Sequence, residues 1–513
     1  MSITQSSRIC RFFLAMWAVL TGAWANSAFC RGLDRLGRWG MRALRESVVF
    51  QFLWRDGAVT RSWETSLTCR VLAAVVNIPC ALCKTIYKWG KELFEGSLAC
   101  RVISALGGAA FLFTGLFLAV MLVVPHESWN NLYALAAVVV LTGLFAMGSA
   151  SRPAFRLETE RLGPHFVLYL GMVCMAFLTS LSWSDSLRFV GFYLTFFLLI
   201  LLTVSAIHSY EQLQLMVALA VAGLTVAALY GCYQAVIGVE IIPSQQDMVV
   251  NAGMPGRIYS FFDNPNNFAE LLVMLTPFTF ALFLNAEGWR GRVLALFSFA
   301  VCAVALACTY SRSGWLGIAL AVVVFLAFEN WKLIPVLGLA GLCCVPLLPR
   351  TIYNRLLTIG NTNDSSTNYR FAIYKASAEL MKDHWLKGVG LGSDVLTRAF
   401  RCYPPMFDGS FPIHTHNNYL QVWAETGLFG LITFLATLGY TLKQAVKHFR
   451  SAVDPRLRRL LAAAAAGFCG ILLISVAEYT WFYPRNMFFY WFLFGVLAAG
   501  GKLAHRSVRS CQA

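Results

Sequence analysis

From about residue 104 the chain is a succession of apolar runs separated by short polar stretches, and that pattern leaves few folds open. The runs cover roughly 104–124, 132–149, 164–181, 187–205, 213–238, 268–284, 293–309, 315–328, 333–349, 418–440, 460–479 and 487–501. A hydrocarbon core of ~30 Å is crossed by about 20 helical residues, and a helix satisfies its own backbone hydrogen bonds where no water can. Outer-membrane barrels would show alternating segments of ~10 residues, which this chain lacks. Only 13% of residues are charged, against about 25% in soluble domains. The expected fold is therefore an all-α polytopic membrane protein with about 12 transmembrane helices and one long structured extracytoplasmic loop.

The net charge of +16 is distributed by topology and is not gathered into a basic patch, so no nucleic-acid partner is expected; membrane lipids are. With the N-terminal segment inside, the inner loops and C-terminus after residue 101 hold fifteen Lys or Arg, six in 441–459 and three in 151–163. Short outer loops hold only Arg188, Arg257, Arg312 and Arg485. The eight in 350–417 lie in a loop too long for the positive-inside rule. The reading is a multi-pass protein with both termini cytoplasmic.

Four regions follow: a basic cytoplasmic or membrane-surface extension at 1–101, a first transmembrane part at 102–349, an extracytoplasmic loop at 350–417, and a last transmembrane part with a short tail at 418–513. The extension carries fourteen Lys or Arg against six acids. Its run Phe12–Cys30 lacks a cleavage site of the signal-peptide kind, and Val71–Cys83 is too short to span. The long loop reads as a polar turn at Asn361–Asn368, a helix over Tyr369–Lys382 and a glycine-punctuated turn at 388–392. Cys402 has no outward partner for a disulfide, and Cys80 and Cys83 no second pair for a metal.

Three residues could carry chemistry. His416, in His416-Asn417-Asn418-Tyr419-Leu420, stands where the outer loop enters a span and could accept a proton from a hydroxyl. Its bland role would be a helix cap. With His414 it forms an H-x-H pair, but no further ligands accompany it. Arg257 precedes Asn264-Pro265-Asn266 in an outer loop, where a guanidinium can hold a phosphate through paired hydrogen bonds. Arg312, in Ser311-Arg312-Ser313-Gly314-Trp315, sits in a tight outer hairpin, and a charge at that depth is by default functional. Arg188 and Arg485 read as structural. No Walker motif and no Asp-x-Asp pair occurs, so neither an ATP-driven pump nor a metal-nucleotide-sugar transferase is indicated. An activated donor outside the membrane points to a lipid-linked diphosphate.

At these residues the sequence resembles the O-antigen ligase and O-antigen polymerase superfamily of bacterial membrane glycosyltransferases. The pattern His416-Asn417-x-x-Leu420, six residues and Gly427 carries the likeness, with Arg257 before Asn264-Pro265-Asn266, Ser311-Arg312-Ser313-Gly314-Trp315, and Tyr369-Arg370 followed by His384-Trp385-Leu386-Lys387-Gly388-Val389-Gly390-Leu391-Gly392. It extends over about 130–500 and leaves the first hundred residues without a counterpart. The resemblance implies a bacterial inner-membrane enzyme that transfers a glycan from undecaprenyl diphosphate to an acceptor hydroxyl with inversion, needing no metal, cofactor or ATP. Arg257 and Arg312 would hold the diphosphate, and His416 would orient or deprotonate the acceptor. Asn417, Arg370, His384 and Asn266 would contact substrate, Arg370 and His384 mainly for acceptor fit. A diphosphate leaves well, and no carboxylate pair accompanies the motifs. The acceptor stays open: a glycan or lipid for a ligase, another lipid-linked repeat for a polymerase, a protein for an O-oligosaccharyltransferase. A non-catalytic flippase or exporter of lipid-linked sugars would want charges along the bundle midplane, where these runs hold almost none.

Overall fold

In the computed structural model, residues 15, 16, 19, 22–24, 26–152, 154–242, 253–360 and 365–512 are described. The start of the Phe12–Cys30 run and of the Asn361–Asn368 turn lies outside them. The described residues form helices and turns and no strand. Helices α1 (Ala28–Glu46), α2 (Val48–Trp54), α3 (Leu67–Val76), α4 (Ile78–Trp89) and α5 (Leu98–Gly108) precede the bundle. The bundle comprises α6 (Ala110–Val123), α7 (Asn131–Gly148), α8 (Pro164–Leu178), α9 (Trp183–Ala206), α10 (Tyr210–Ile237), α11 (Pro265–Asn285), α12 (Trp289–Cys308), α13 (Arg312–Glu329) and α14 (Leu333–Cys344). After α15 (Arg350–Leu357), α16 (Ser365–His384) and α17 (Ser393–Phe400) it closes with α18 (Asn418–Ser451), α19 (Pro455–Ile474) and α20 (Pro484–Gln512).

Among the described residues nine helices are long and apolar enough to cross a membrane, and three bent pairs reach that length together. The expected runs are recovered, with instructive differences. The 104–124 run is split by a 60° bend between α5 and α6, where Gly107 packs so closely on Gly148 that a Cβ would lie 2.5 Å from its Cα. The 333–349 run turns back by 118° into α15 beyond Pro346 and Pro349. The Val71–Cys83 stretch, expected to be too short, belongs to the pair α3 and α4, bent by 56°. Asn77 at that bend accepts from Leu157 N (2.7 Å) and donates to Leu157 O (2.9 Å), which ties the pair to the 151–163 loop.

Two packing features position the end of the bundle that carries the 350–417 loop. Small residues let α13 and α11 approach α19: a Cβ on Gly470 would stand 2.8 Å from Gly317 O, the close crossing that glycine permits between membrane helices. An aromatic core around Trp491, stacked on Phe196 at 4.7 Å, fixes α20 against α9. Arg485 is 1% exposed and donates to Met121 O (3.1 Å), Val124 O (2.7 Å) and the Tyr483 hydroxyl. It thereby pins α20 to the end of α6, the structural role expected of it. Arg188 likewise pairs with Asp394 at 2.5 Å, joining α9 to α17.

Candidate active site

α19 stops at Ile474, five residues before the end of the 460–479 run, and the chain turns through 475–483 before α20 begins. That early stop places Glu478 outside the helix, facing the start of α18. The two ends are stitched together: Asn418 N donates to Ser475 O (2.8 Å), Asn417 Nδ2 to Val476 O (2.9 Å) and the Tyr419 hydroxyl to Leu472 O (2.8 Å). Asn417 also caps α18, its Oδ1 accepting from Tyr419 N and Leu420 N. Its place in the motif is thus explained by local structure.

Glu478 is the hub of the site. Its Oε2 lies 3.3 Å from His416 Nδ1. Its Oε1 accepts from Arg370 Nη2, and from Asn266 Nδ2 at 3.3 Å. Asn266 in turn accepts from Arg257 Nη2 at 2.6 Å, while Arg257 Nε donates to Thr309 O at 2.8 Å. Burial by itself would raise the Glu478 carboxyl, but the charge of Arg370 and the hydrogen bond and charge of His416 overrule it and hold it down at about 2. Burial pushes Arg257 down to about 9, with repulsion from Arg355, Arg312 and Arg370 adding to it and Glu478 opposing it. Arg355, Arg312 and Arg370 thus all lie close enough to act on Arg257, with Glu478 as the opposing charge, and the cluster has a net positive charge suited to an anionic ligand.

Arg312 opens α13 behind the Ser311 cap and donates to Thr358 O at 2.9 Å. Arg355 is 7% exposed and donates to Tyr310 O at 3.2 Å. The backward turn into α15 thus clamps the Arg312 hairpin from both sides. Tyr374 on α16 donates to His416 O at 3.3 Å, and burial keeps its phenol above the usual range. His414 accepts on Nδ1 from His416 N at 3.3 Å, and burial with the neighbouring His416 pushes it down to about 3. His414 is therefore neutral, with Nδ1 deprotonated. Among the described residues no three His, Cys, Asp or Glu side chains are grouped as metal ligands would be.

The geometry assigns a tautomer to His416. A carboxylate only accepts, so Nδ1 carries the proton toward Glu478 and the Nε2 lone pair is left to act as a base. This is the orienting arrangement of acid-held catalytic histidines. Backbone strain marks the same places. Among the described residues the non-glycine positions with positive φ are Ser260 (55°), Tyr310 (51°) and His416 (48°). They stand within three residues of Arg257, within two of Arg312, and at the histidine itself. Such strain persists where surrounding contacts over-determine the chain, commonly at functional sites.

The 350–417 segment is locked to this site through the motif glycine. α18 is kinked at Gly427, whose φ is 72°, and a Cβ there would stand 2.1 Å from Leu386 O. Around the kink Val389 N donates to Ala424 O (2.8 Å), Gly390 N to Glu425 O (3.1 Å) and Leu428 N to Trp385 O (3.0 Å). Gly427→Ala is expected to destabilise the protein by about 2–4 kcal/mol, from the left-handed conformation plus displacement of a backbone carbonyl. Thermal unfolding in detergent checks it; an unchanged midpoint would contradict the locking role.

Of the residues singled out in the sequence, Arg257, Arg312, His416, Arg370 and Asn266 come together. His384 does not: it ends α16, fourteen residues beyond Arg370, or about 21 Å along a helix. Sequence reading missed Glu478 and Arg355. The sequence shows only the lack of a carboxylate pair, and the single carboxylate Glu478 sat unseen at the end of an apolar run. Arg355 lay in a loop whose charges carry no topological signal. Among the few charged residues of the runs, Glu270 on α11 and Glu425 on α18 are buried.

Residues 297–435 match the family model of the O-antigen ligase. Over this stretch the chain is similar to the O-antigen ligase family. The matched stretch runs from α12 into α18 and contains Arg312, Arg355, Arg370, His416 and Gly427, while Arg257 and Glu478 flank it. No curated protein matches the chain. That match and the apolar helices together point to a multi-pass bacterial membrane protein.

Proposed function

We propose that this O-antigen ligase-type protein transfers a glycan from a polyprenyl (undecaprenyl) diphosphate to an acceptor hydroxyl at the outer face of the cytoplasmic membrane, with inversion. The observation that carries the reading is the gathering of Arg312, Arg355 and Arg370 close to Arg257, with Arg370 and His416 both held by Glu478. Arg257 and Arg312 bind the diphosphate and stabilise the charge that grows on it as the glycosidic bond breaks. Arg355 fixes the hairpin that presents Arg312. His416 Nε2 accepts the proton of the acceptor hydroxyl as its oxygen attacks the anomeric carbon from the face opposite the departing diphosphate. Glu478 keeps that imidazole in the required tautomer, and Asn266 joins it to Arg257, so donor and base are set by one network. Arg370, on the outer loop, places Glu478 and borders the acceptor side; His384 and Asn417 act on loop placement and on the entry of α18.

The testing experiment is transfer from purified undecaprenyl-diphosphate glycan in detergent with EDTA present throughout. Arg257→Lys and Arg312→Lys keep charge but lose the planar fork, and each is expected to lower transfer by about tenfold or more. Activity restored only by added metal, or full activity in both variants, overturns the reading.

The orientation is proposed with it. Both termini and 441–459 are cytoplasmic, and 350–417 lies outside. Reporter fusions at residues 155, 380 and 450 should read inside, outside and inside; an outward signal at 450 reverses the assignment and removes the mechanism.

A further inference from the structure

The extension before the bundle is built on a short repeat that neither the family match nor the site uses. Ser27-Ala28-Phe29-Cys30-Arg31, Ser66-Leu67-Thr68-Cys69-Arg70 and Ser97-Leu98-Ala99-Cys100-Arg101 share the pattern Ser-x-x-Cys-Arg, which also stands in the sequence at Ser7–Arg11. Each of the three described copies starts a helix. The serine Oγ accepts from the cysteine N–H at 3.0, 3.1 and 3.4 Å in turn. Cys30 and Cys69 turn inward and are buried, whereas Phe29, Leu67 and Leu98 are exposed. One module therefore recurs: a serine cap, an outward apolar residue and a cysteine followed by an arginine, the cysteine buried in two of the three copies and half-buried at Cys100.

These helices run around the end of the bundle away from His416. α13 begins at Arg312 in the site and ends at Glu329; just beyond it, Lys332 bonds Asp34 at 2.7 Å on α1. α18 begins beside His416, and near its far end Lys443 and Lys447 hold Asp56 at 3.0 and 2.6 Å. Trp63 Nε1 then donates to Glu160 O (2.9 Å), Asn77 to Leu157 O (2.9 Å) and Lys84 to Phe155 O (2.7 Å). Three contacts in chain order to consecutive parts of one loop mean that α3 and α4 lie along the rim and do not cross the bundle.

The outward surface is not that of a water-facing domain. Val48, Leu67, Trp89 and Leu98 are each at least 70% exposed. On α1, steps of 100° per residue place Phe29, Leu33, Leu36, Ala43 and Leu44 on one side and Arg31, Arg35, Arg38, Arg42 and Arg45 on the other. The side that meets the bundle carries Cys30, Asp34 and Gly37, and lies between them. A helix held edge-on to a membrane bundle with separate apolar and arginine faces has the layout of an interfacial helix.

We propose that residues 28–108 form a collar embedded in the headgroup layer of the leaflet farthest from His416, and that its partner is anionic phospholipid. The apolar face enters the acyl boundary. The arginines, in excess over Asp34 and Glu46 on α1, meet the lipid phosphates, and each basic residue near such a surface favours binding measurably.

The test uses the full chain in nanodiscs of phosphatidylcholine alone or mixed with phosphatidylglycerol, and reads hydrogen exchange of the Ala28–Glu46 peptides. Exchange is expected to slow by on the order of tenfold in the anionic mixture. The R35E/R38E/R42E variant leaves Cys30, Asp34 and Gly37 in place and is expected to exchange equally in both. Equal exchange of the unmodified protein in the two mixtures overturns the proposal, as does anionic slowing that survives in the variant. If the variant already exchanges faster in neutral detergent, its seat on the bundle is lost, and the unmodified protein compared between the two mixtures decides alone.

Discussion

His416→Ala is expected to lower glycan transfer by roughly 10²–10⁴-fold, the range that a positioned general base contributes, while donor binding changes little. The division follows from the geometry. The imidazole is tied to Glu478 and the His416 backbone carbonyl to Tyr374, on the proposed acceptor side of the network, and the guanidinium groups proposed to hold the diphosphate keep their own bonds to Thr309, Asn266 and Thr358. The measurement is single-turnover transfer alongside equilibrium binding of the lipid-linked donor. Full transfer by the alanine protein would remove the base. Loss of donor affinity equal to the loss of rate would move His416 to the donor side.

Glu478→Gln is expected to be nearly as damaging, through a different route. Glutamine keeps the size but offers His416 a neutral partner that fixes no tautomer, so kcat should fall by about a hundredfold or more with the KM for donor little changed. Arg370 would lose its counter-charge in a site where the carboxylate is 9% exposed and the guanidinium 22%, a loss of about 2–3 kcal/mol after allowing for that partial exposure. Its pH dependence has a definite sign. The Glu478 carboxyl is lowered from its ordinary 4.5 to about 2. Its contribution is therefore fully present above pH 4.5 and is lost progressively as pH falls toward about 2. The gap in thermal stability between the unmodified protein and Glu478→Gln should be constant near neutrality and close below that window. A gap that persists unchanged at pH 2 would mean that shape, not charge, makes Glu478 important. A purely structural Glu478 would also leave the ratio of kcat to stability untouched.

Much of this site was legible in the sequence for identifiable reasons. Arg257 and Arg312 stand out because the topology expected from the sequence puts them in short outer loops, where positive charge is disfavoured, and His416 because it borders a span inside a spaced motif. Gly427 was visible only as part of that motif. The structure supplies its cause, a left-handed kink with no room for a Cβ beneath Leu386 O. Asn417 had the same standing, and its role is to cap α18 and bind α19. Arg370 and His384 looked alike on paper because both lie on one helix of the outer loop. Helical rise separates them, and only Arg370 reaches the network.

What the sequence determined by itself is the class of the protein. Bilayer thickness and the cost of unsatisfied backbone in lipid convert runs of apolar residues into spanning helices whatever their neighbours do. Tertiary structure decided where those helices stop and what meets at their ends. α19 ends at Ile474 because its first following residues are claimed by Asn417 and Asn418 at the start of α18. The chain then turns and delivers Glu478 to residues 62 positions away along the chain at His416 and 108 away at Arg370. Hydropathy averages over a window and is blind to such a stop. A carboxylate becomes the hub of a cationic site only when the fold brings its partners to it, because charge interactions depend on distance in space and not on distance along the chain.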